Sequence, residues 1–255
     1  YNSCDYIGQK ETCRFCAIGR YASKKSGIVR KTPVQIAESL KIIQDKADLS
    51  NFTIDLTGGN TQTEDRGALM YVEIIRAIRK ISNIPICVEI APPDKDEYLN
   101  MLFDIGANSF MLNLEIWDDK LRKLFLPGKS KITKTRYFQA WEHAIKLVGT
   151  GKVSSVLIVG LESKYSTLEG ADNLIKHGVI PTIMPFRPND GSYLENLDCP
   201  SPESVLYITH EVSEKLFTNG INPLSHPGCI SCGACAAEGD YYKSYVFDNL
   251  NGSSK

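Results

Sequence analysis

Three cysteines near the amino terminus, Cys4, Cys13 and Cys16, follow a C-x8-C-x2-C spacing, with Phe15 directly before the last. Cysteines this close together suit metal ligation. Three thiolates cannot fill a four-cornered iron–sulfur cube, so one iron would stay open to a non-protein ligand, and chemistry can occur there. A second triplet, Cys229, Cys232 and Cys235, reads C-x2-C-x2-C near the other end. His226 extends it to a His-x2-Cys-x2-Cys-x2-Cys series, which either an iron–sulfur cluster or zinc would accept. The fourth ligand there is open between His226, Ser244 and an exogenous group. Zinc is the weaker reading of the first triplet, because zinc normally takes four protein ligands and no nearby fourth presents itself. Cys87 and Cys199 have no partner at ligand spacing and read as packed or unassigned residues.

Polar residues at the ends of apolar runs form the second group of candidates. They are Thr57-Gly58-Gly59-Asn60, Glu89, Leu112-Asn113-Leu114-Glu115, Val156–Gly160 and Met184-Pro185-Phe186-Arg187-Pro188. Glycines permit close approach of a ligand to the backbone. Asn113 and Glu115 fall on one face of a strand at period two, which favours a shared ligand over a solvated strand end.

The elements that must position these groups read as alternating strands and helices. Strands are predicted at Phe52–Leu56, Ile84–Ile90, Phe110–Leu114, Ser155–Val159 and Ile180–Phe186, each a short apolar run, with one more ending around Tyr1–Ser3. Helices are predicted from Pro33, over Asp65–Ile81, Asp94–Phe103, Lys134–Val148 and Thr167–His177, and over Pro202–Phe217. Thr32 and Gln35 form a capping box around Pro33. Ser201 caps the last helix, whose stripe is Val205, Ile208, Val212 and Leu216. The alternation implies a parallel sheet with right-handed crossovers. Six β/α units are too few for a closed eight-stranded barrel, so the expected fold is an α/β partial (β/α)6 TIM-like barrel with a Cys-rich C-terminal extension, divided at 1–221 and 222–255. Active residues then belong at the carboxyl ends of the strands.

Composition bounds the function. The chain has 255 residues, is 42% hydrophobic and carries a net charge of -1, which suits one large soluble domain. Near-neutral charge gives no reason to expect nucleic acid or an anionic membrane as partner. No apolar run approaches the roughly 18 residues of a membrane span, and no signal peptide is visible. Six of eight cysteines lie in the two triplets, so the expectation is a reducing, cytoplasmic setting with metal clusters rather than disulfides.

The amino-terminal cysteine loop with its aromatic neighbour, followed by these strand-end motifs, resembles the radical S-adenosylmethionine (SAM) enzymes from Cys4 to about Asn196. Departures are the eight-residue gap, where the family usually has three residues, and Asn60 in place of Glu. The resemblance implies a SAM-binding [4Fe-4S] cluster on Cys4, Cys13 and Cys16, beside Phe15. It implies that Gly58, Gly59 and Asn60 receive SAM's amino group. Asn113 and Glu115, similar to the Asn-Leu-Glu/Asp signature of biotin synthase and lipoyl synthase, would hold the ribose and methionine portion. Glu89 is a candidate for the methionine ammonium, Arg136 for its carboxylate, and Gly160 marks the motif lying against adenine. The same resemblance favours a lipoyl synthase-like enzyme that inserts sulfur at unactivated C–H positions, with a second, auxiliary [4Fe-4S] cluster on the carboxy-terminal triplet as sulfur donor. It further implies an electron donor such as ferredoxin or flavodoxin, an acylated carrier protein as substrate, and a second radical SAM component as partner. The alternative is a radical SAM enzyme for another substrate, its second cluster serving electron transfer or substrate binding. A bare electron carrier would give the six-unit body and the Asn113/Glu115 pair no purpose.

Overall fold

A computed structural model describes residues 3–7, 10–18, 30–226 and 228–252. Five parallel strands pair in chain order: β1 (Ile54–Leu56), β2 (Ile86–Glu89), β3 (Ser109–Met111), β4 (Val153–Val159) and β5 (Ile180–Pro185). Helices join them: α1 (Pro33–Gln44) precedes β1, and α2 (Ala68–Arg79), α3 (Glu97–Asp104), α4 (Asp119–Phe125), α5 (Lys134–Val148) and α6 (Lys164–Lys176) lie between strands. α7 (Pro202–Thr218) follows β5, and α8 (Glu238–Gly252) ends the described chain. Sequential parallel pairing with helical crossovers is the arrangement of a partial TIM-like barrel.

Of the strand expected around Tyr1–Ser3, Tyr1 and Asn2 lie outside the described residues and Ser3 is in no strand. The chain nevertheless runs past the end of β1, where the Asp5 amide donates to the Asn60 carbonyl at 2.9 Å. β1 and β2 are shorter than their apolar runs, β3 starts one residue early and ends three early, β4 starts two residues early at Val153, and β5 ends one residue early. The Leu112–Leu114 stretch lies beyond β3, although Glu115 still forms a parallel bridge with Leu157.

Alternation along each strand separates two apolar clusters. Ile86, Val88, Phe110, Leu112 and Leu157 pack against the helices in the main core, while Cys87, Met111, Val156 and Ile158 form a smaller cluster on the other face. Cys13, Phe15, Met184 and Cys229 pack onto that inner cluster, so both cysteine triplets reach the barrel interior.

Local signals account for the helices. Both halves of the Thr32–Gln35 capping box are made, and Ser201 caps α7 by accepting from the Ser204 amide. In α7, Ile208, Val212 and Leu216 are fully buried, as the stripe predicts, with Val205 partly buried beside them. Two helices were not expected. α4 is short and starts at Asp118, whose carboxylate accepts from the Lys120 and Leu121 amides. α8 occupies the tail where apolar periodicity stops. Its apolar face is made of tyrosines: Tyr242 packs edge-on to Phe217 of α7 at 5.7 Å and Tyr245 stacks on it at 5.9 Å. Glu238, at the start of α8, accepts a hydrogen bond from the Ile183 amide of β5, which closes part of that strand's outer edge. No helix among the described residues is long and apolar enough to cross a membrane.

Candidate functional site

α5 fixes the most important polar residue of the site. Tyr137 and Trp141 are fully buried on its inner face. The Tyr137 hydroxyl donates to the Asn113 carbonyl at 2.9 Å, and the Trp141 indole donates to the Leu112 carbonyl at 3.1 Å. Buried carbonyls need such partners, and here they hold the backbone past β3 in place. The Asn113 side chain then bridges two neighbours. Its amide nitrogen donates to Glu89 at 2.6 Å, and its oxygen accepts from the Val156 amide at 3.0 Å. Burial pushes the Glu89 carboxyl above the usual carboxylate range, opposed by a hydrogen bond from the Thr57 side chain.

Glu115 follows with φ at 75°, in the left-handed region that non-glycine residues seldom enter. Main-chain bonds to β4 hold it there: its amide donates to Val156 and its carbonyl accepts from Ile158. Strain held by surrounding structure is a frequent mark of functional positions. Its carboxylate pairs with Lys129 at 2.7 Å, the two side chains being 14% and 7% exposed. Burial disfavours the lysine's charge, but Glu115, with smaller contributions from Tyr137 and Cys13, raises its pKa above the ordinary lysine range. Arg122 fastens the turn that carries Lys129 by donating to the Ile132 carbonyl at 2.9 Å. Nothing in the sequence singles out Lys129, because Pro127-Gly128-Lys129-Ser130-Lys131 reads as a polar surface turn.

Glu89, Asn113 and Glu115 line one cavity of about 350 Å³ together with Phe15, Val156 and Ile158. Met184, Phe186 and Arg187 close its far side, with Arg187 on the exposed rim. The mouth lies at the carboxyl ends of the strands, where the fold places active sites.

The amino-terminal loop is fixed over this mouth by main-chain bonds to distant segments. Beyond the Asp5–Asn60 bond, Arg14 donates to the Phe125 carbonyl at 2.7 Å, Gly128 to Glu11 at 3.0 Å, and Leu194 to Arg14 at 3.2 Å. Gly59 is required by contact: a Cβ there would fall 2.0 Å from the Ser3 carbonyl oxygen and 2.6 Å from Cys4 Cβ. The three thiols sit close enough to disfavour one another's charge. Burial first, then Glu115, Cys16 and Cys4, push the Cys13 pKa up to about 12 against the pull of Lys129. Burial likewise raises Cys4 and Cys16. Such thiols stay protonated until a metal takes them as thiolates. Three converging, half-buried cysteines, with no fourth cysteine or histidine beside them among the described residues, fit a cluster that leaves one iron open.

Two expected contacts lie elsewhere. Arg136 does not reach the cavity: its Nε donates to the Pro93 carbonyl at 2.7 Å and its Nη2 pairs with Asp96 at 2.5 Å, so it anchors the start of α3. Position in sequence misled because Arg136 is in the first turn of α5, on the side turned toward α3 rather than the strand ends. Gly160 does not line the cavity either. Its φ of 103° and the Pro200 ring, 3.0 Å from where a Cβ would stand, account for the glycine, while Val156 and Ile158 present the apolar wall. Gly58 and Asn60 stand half-buried beside Gly59 at the end of β1.

The carboxy-terminal triplet lies at the opposite end of the barrel. Cys229 and Cys232 share a cavity of about 460 Å³ with Phe52, Thr53 and Asp55, which precede or begin β1. Cys229 is pushed up to about 12 by burial, then by Cys235, Asp55 and Cys232, so these thiols also converge. Gly228 adopts φ of 150°, and a Cβ there would fall 2.9 Å from Cys87 Sγ. His226 is buried, which pushes its pKa down to about 4, the Phe110 main chain giving a little relief. Ser244 sits exposed on α8.

Comparison with known proteins agrees with this geometry. The family model for the radical SAM superfamily matches residues 4–175, more than half of the chain. A bacteriochlorophyllide c C-7(1)-hydroxylase from Chlorobaculum limnaeum is 24% identical over 231 residues, covering 83% of this chain and 57% of that protein. Methylornithine synthase superposes with a TM-score of 0.64 at 22% identity, over 86% of this chain and 60% of its own. The FeFe-hydrogenase maturase of Carboxydothermus hydrogenoformans superposes with 0.63 at 19% identity, over 82% and 49%. The chain thus spans about three fifths of the length of the first two relatives.

Proposed function

The chain belongs to the radical SAM superfamily, and from that premise we propose that it binds SAM in the 350 Å³ cavity, removes hydrogen from an unactivated C–H bond of a substrate held at its mouth and replaces it with sulfur. The observation that carries the catalytic part is convergence: three amino-terminal thiols, the Glu89–Asn113 pair and Glu115 meet at one mouth. A [4Fe-4S] cluster and SAM, when bound, would supply reductive cleavage to methionine and a 5′-deoxyadenosyl radical, chemistry that no side chain performs.

The residues have separable roles in this reading. Cys4, Cys13 and Cys16 would hold the cluster. The Gly58–Asn60 turn and Glu89 would take SAM's ammonium, and Asn113 and Glu115 its ribose and methionine portion. Lys129, beside Glu115 and the thiols, offers a positive charge for the carboxylate that Arg136 does not offer. Val156, Ile158 and Phe15 would cover the adenine and keep water from the reactive carbon.

Sulfur insertion is favoured by the second triplet. Cys229 packs on the inner cluster that Cys13 and Phe15 also join, so an auxiliary [4Fe-4S] cluster there would border the same interior. An octanoyl chain on a carrier protein suits the apolar lining, with a ferredoxin- or flavodoxin-type donor and a second radical SAM component completing a lipoyl synthase-like pair. A second reading is oxidation of a different substrate without sulfur transfer, favoured by the similarity to a hydroxylase. The test is anaerobic incubation of reconstituted protein with SAM, reductant and an octanoyl-lysyl peptide, alone and with a partner component. Thiolated peptide supports sulfur insertion. Deoxyadenosine without thiolation removes it and keeps the radical SAM assignment.

A further inference from the structure

The lowest inward-facing residues of β1 to β4 are Asp55, Cys87, Ser109 and Ser154, while β5 begins with Ile180 and carries Thr182 one step higher, level with Val156. A barrel floor is ordinarily packed with branched apolar side chains. Here the hydroxyls of Ser154 and Thr182 are buried without a hydrogen-bond partner, and so are both ring nitrogens of His226. The segment that carries the second triplet packs against this floor, with Cys229 on the inner cluster and Gly228 beside Cys87.

An imidazole always has one nitrogen to donate and one to accept, or two to donate. Leaving a buried polar group unmatched costs about 1–3 kcal/mol, and the His226 ring, 1% exposed, makes a well-formed hydrogen bond at neither nitrogen, with only the Phe110 main chain close enough to ease its burial. Other candidates for a ligand at this spot are already engaged or distant. The Cys87 thiol is hydrogen-bonded to Ser109 and Asp55, and Ser244 faces solvent from α8. Local conformation points the same way. Cys229–Cys232 is a 3₁₀ turn, in which side chains three apart eclipse one another, so Cys229 and Cys232 share one side of it, while His226 and Cys235 flank the turn at the same three-residue spacing. The Gly228 main chain brings the ring to this turn: a Cβ on that glycine would stand 3.1 Å from His226 Cε1.

We infer that His226 supplies the fourth protein ligand of an iron–sulfur centre held by Cys229, Cys232 and Cys235 on the barrel floor. This rests on the reading that the second triplet holds a cluster, and it sharpens that reading. A centre with four protein ligands has no vacant corner. It would relay electrons or be dismantled as a sulfide source, and would not bind substrate through an open iron.

The experiment isolates the second centre in the full-length chain by Cys4/Cys13/Cys16→Ala, reconstituted anaerobically with iron and sulfide. About half the wild-type iron is expected to remain. Pulsed paramagnetic resonance of the reduced centre, with ¹⁵N-labelled histidine, should show coupling to a directly bound imidazole nitrogen. His226→Ala on that background should abolish the coupling and lower the iron content. His226→Cys, which keeps a soft ligand and guards against a folding defect, should retain the iron and lose the coupling. Full iron with no histidine coupling overturns the role of His226 and leaves the cluster intact. No iron in the isolated variant, with half-loading in the wild type, overturns the second cluster itself.

Discussion

Replacing Lys129 with methionine would leave the Glu115 carboxylate, 14% exposed, without its partner at 2.7 Å. Removing one member of a buried pair costs about 3–5 kcal/mol, much of it the desolvation of the orphaned charge. For a chain of this size each kcal/mol moves the melting temperature by about 2–4 °C, so Lys129→Met should melt about 6–20 °C lower. The double variant Lys129→Met/Glu115→Gln removes the orphaned charge and should regain a good part of that loss. Sign and pH range are also set. A lysine whose folded pKa is raised contributes fully below its unfolded value of 10.5 and loses that contribution only as pH climbs through the higher folded value. The gap between wild type and Lys129→Met should then be flat from about pH 6 to 9, far below both values. The assay is circular dichroism melting of the anaerobic metal-free protein, repeated by urea titration. A single variant melting within about 2 °C of wild type, or a double variant no better than the single, would refute the claim that this pair is buried and coupled.

Gly59→Ala should displace the Cys4 arm, because the new methyl would overlap the Ser3 carbonyl at 2.0 Å; iron per chain should fall by about half, with the second centre unaffected. Asn113→Ala removes the bridge between Glu89 and Val156 and should weaken SAM binding at least about tenfold, equal to 1.4 kcal/mol, by calorimetry. Glu238→Gln tests the seal on β5. Burial raises Glu238 from 4.5 to about 7, so the folded state favours the protonated form. Its contribution is full below about pH 4.5 and falls away as pH rises toward 7, by up to about 3 kcal/mol. The difference in stability between variant and wild type should therefore drift over that window, and a constant difference in denaturant titrations would contradict it.

Much of the scaffold is visible in the residues themselves. A capping box at Thr32–Gln35 and the Lys134–Val148 helix are local features, written in caps and spacing. Asn113 and Glu115 share the cavity that their period-two spacing predicts. What stayed hidden depends on contacts between distant segments. Lys129 looks like a surface lysine until Arg122 ties its turn inward. Arg136 looks available until Asp96 claims it. The tyrosine face of α8 has too little hydropathy to register as an apolar stripe, yet aromatic contacts with Phe217 give it a seat. The placement of the second triplet under the barrel, opposite the first, has no local signature.

Main-chain bonds that tie Asp5, Glu11 and Arg14 to residues 60, 125, 128 and 194 bear on how the protein is made. Cys4, Cys13 and Cys16 are translated before the backbone that locks their loop, which emerges from the ribosome later. Iron delivery should accordingly follow synthesis, and a nascent chain stalled before residue 194 should fail to retain iron at that site.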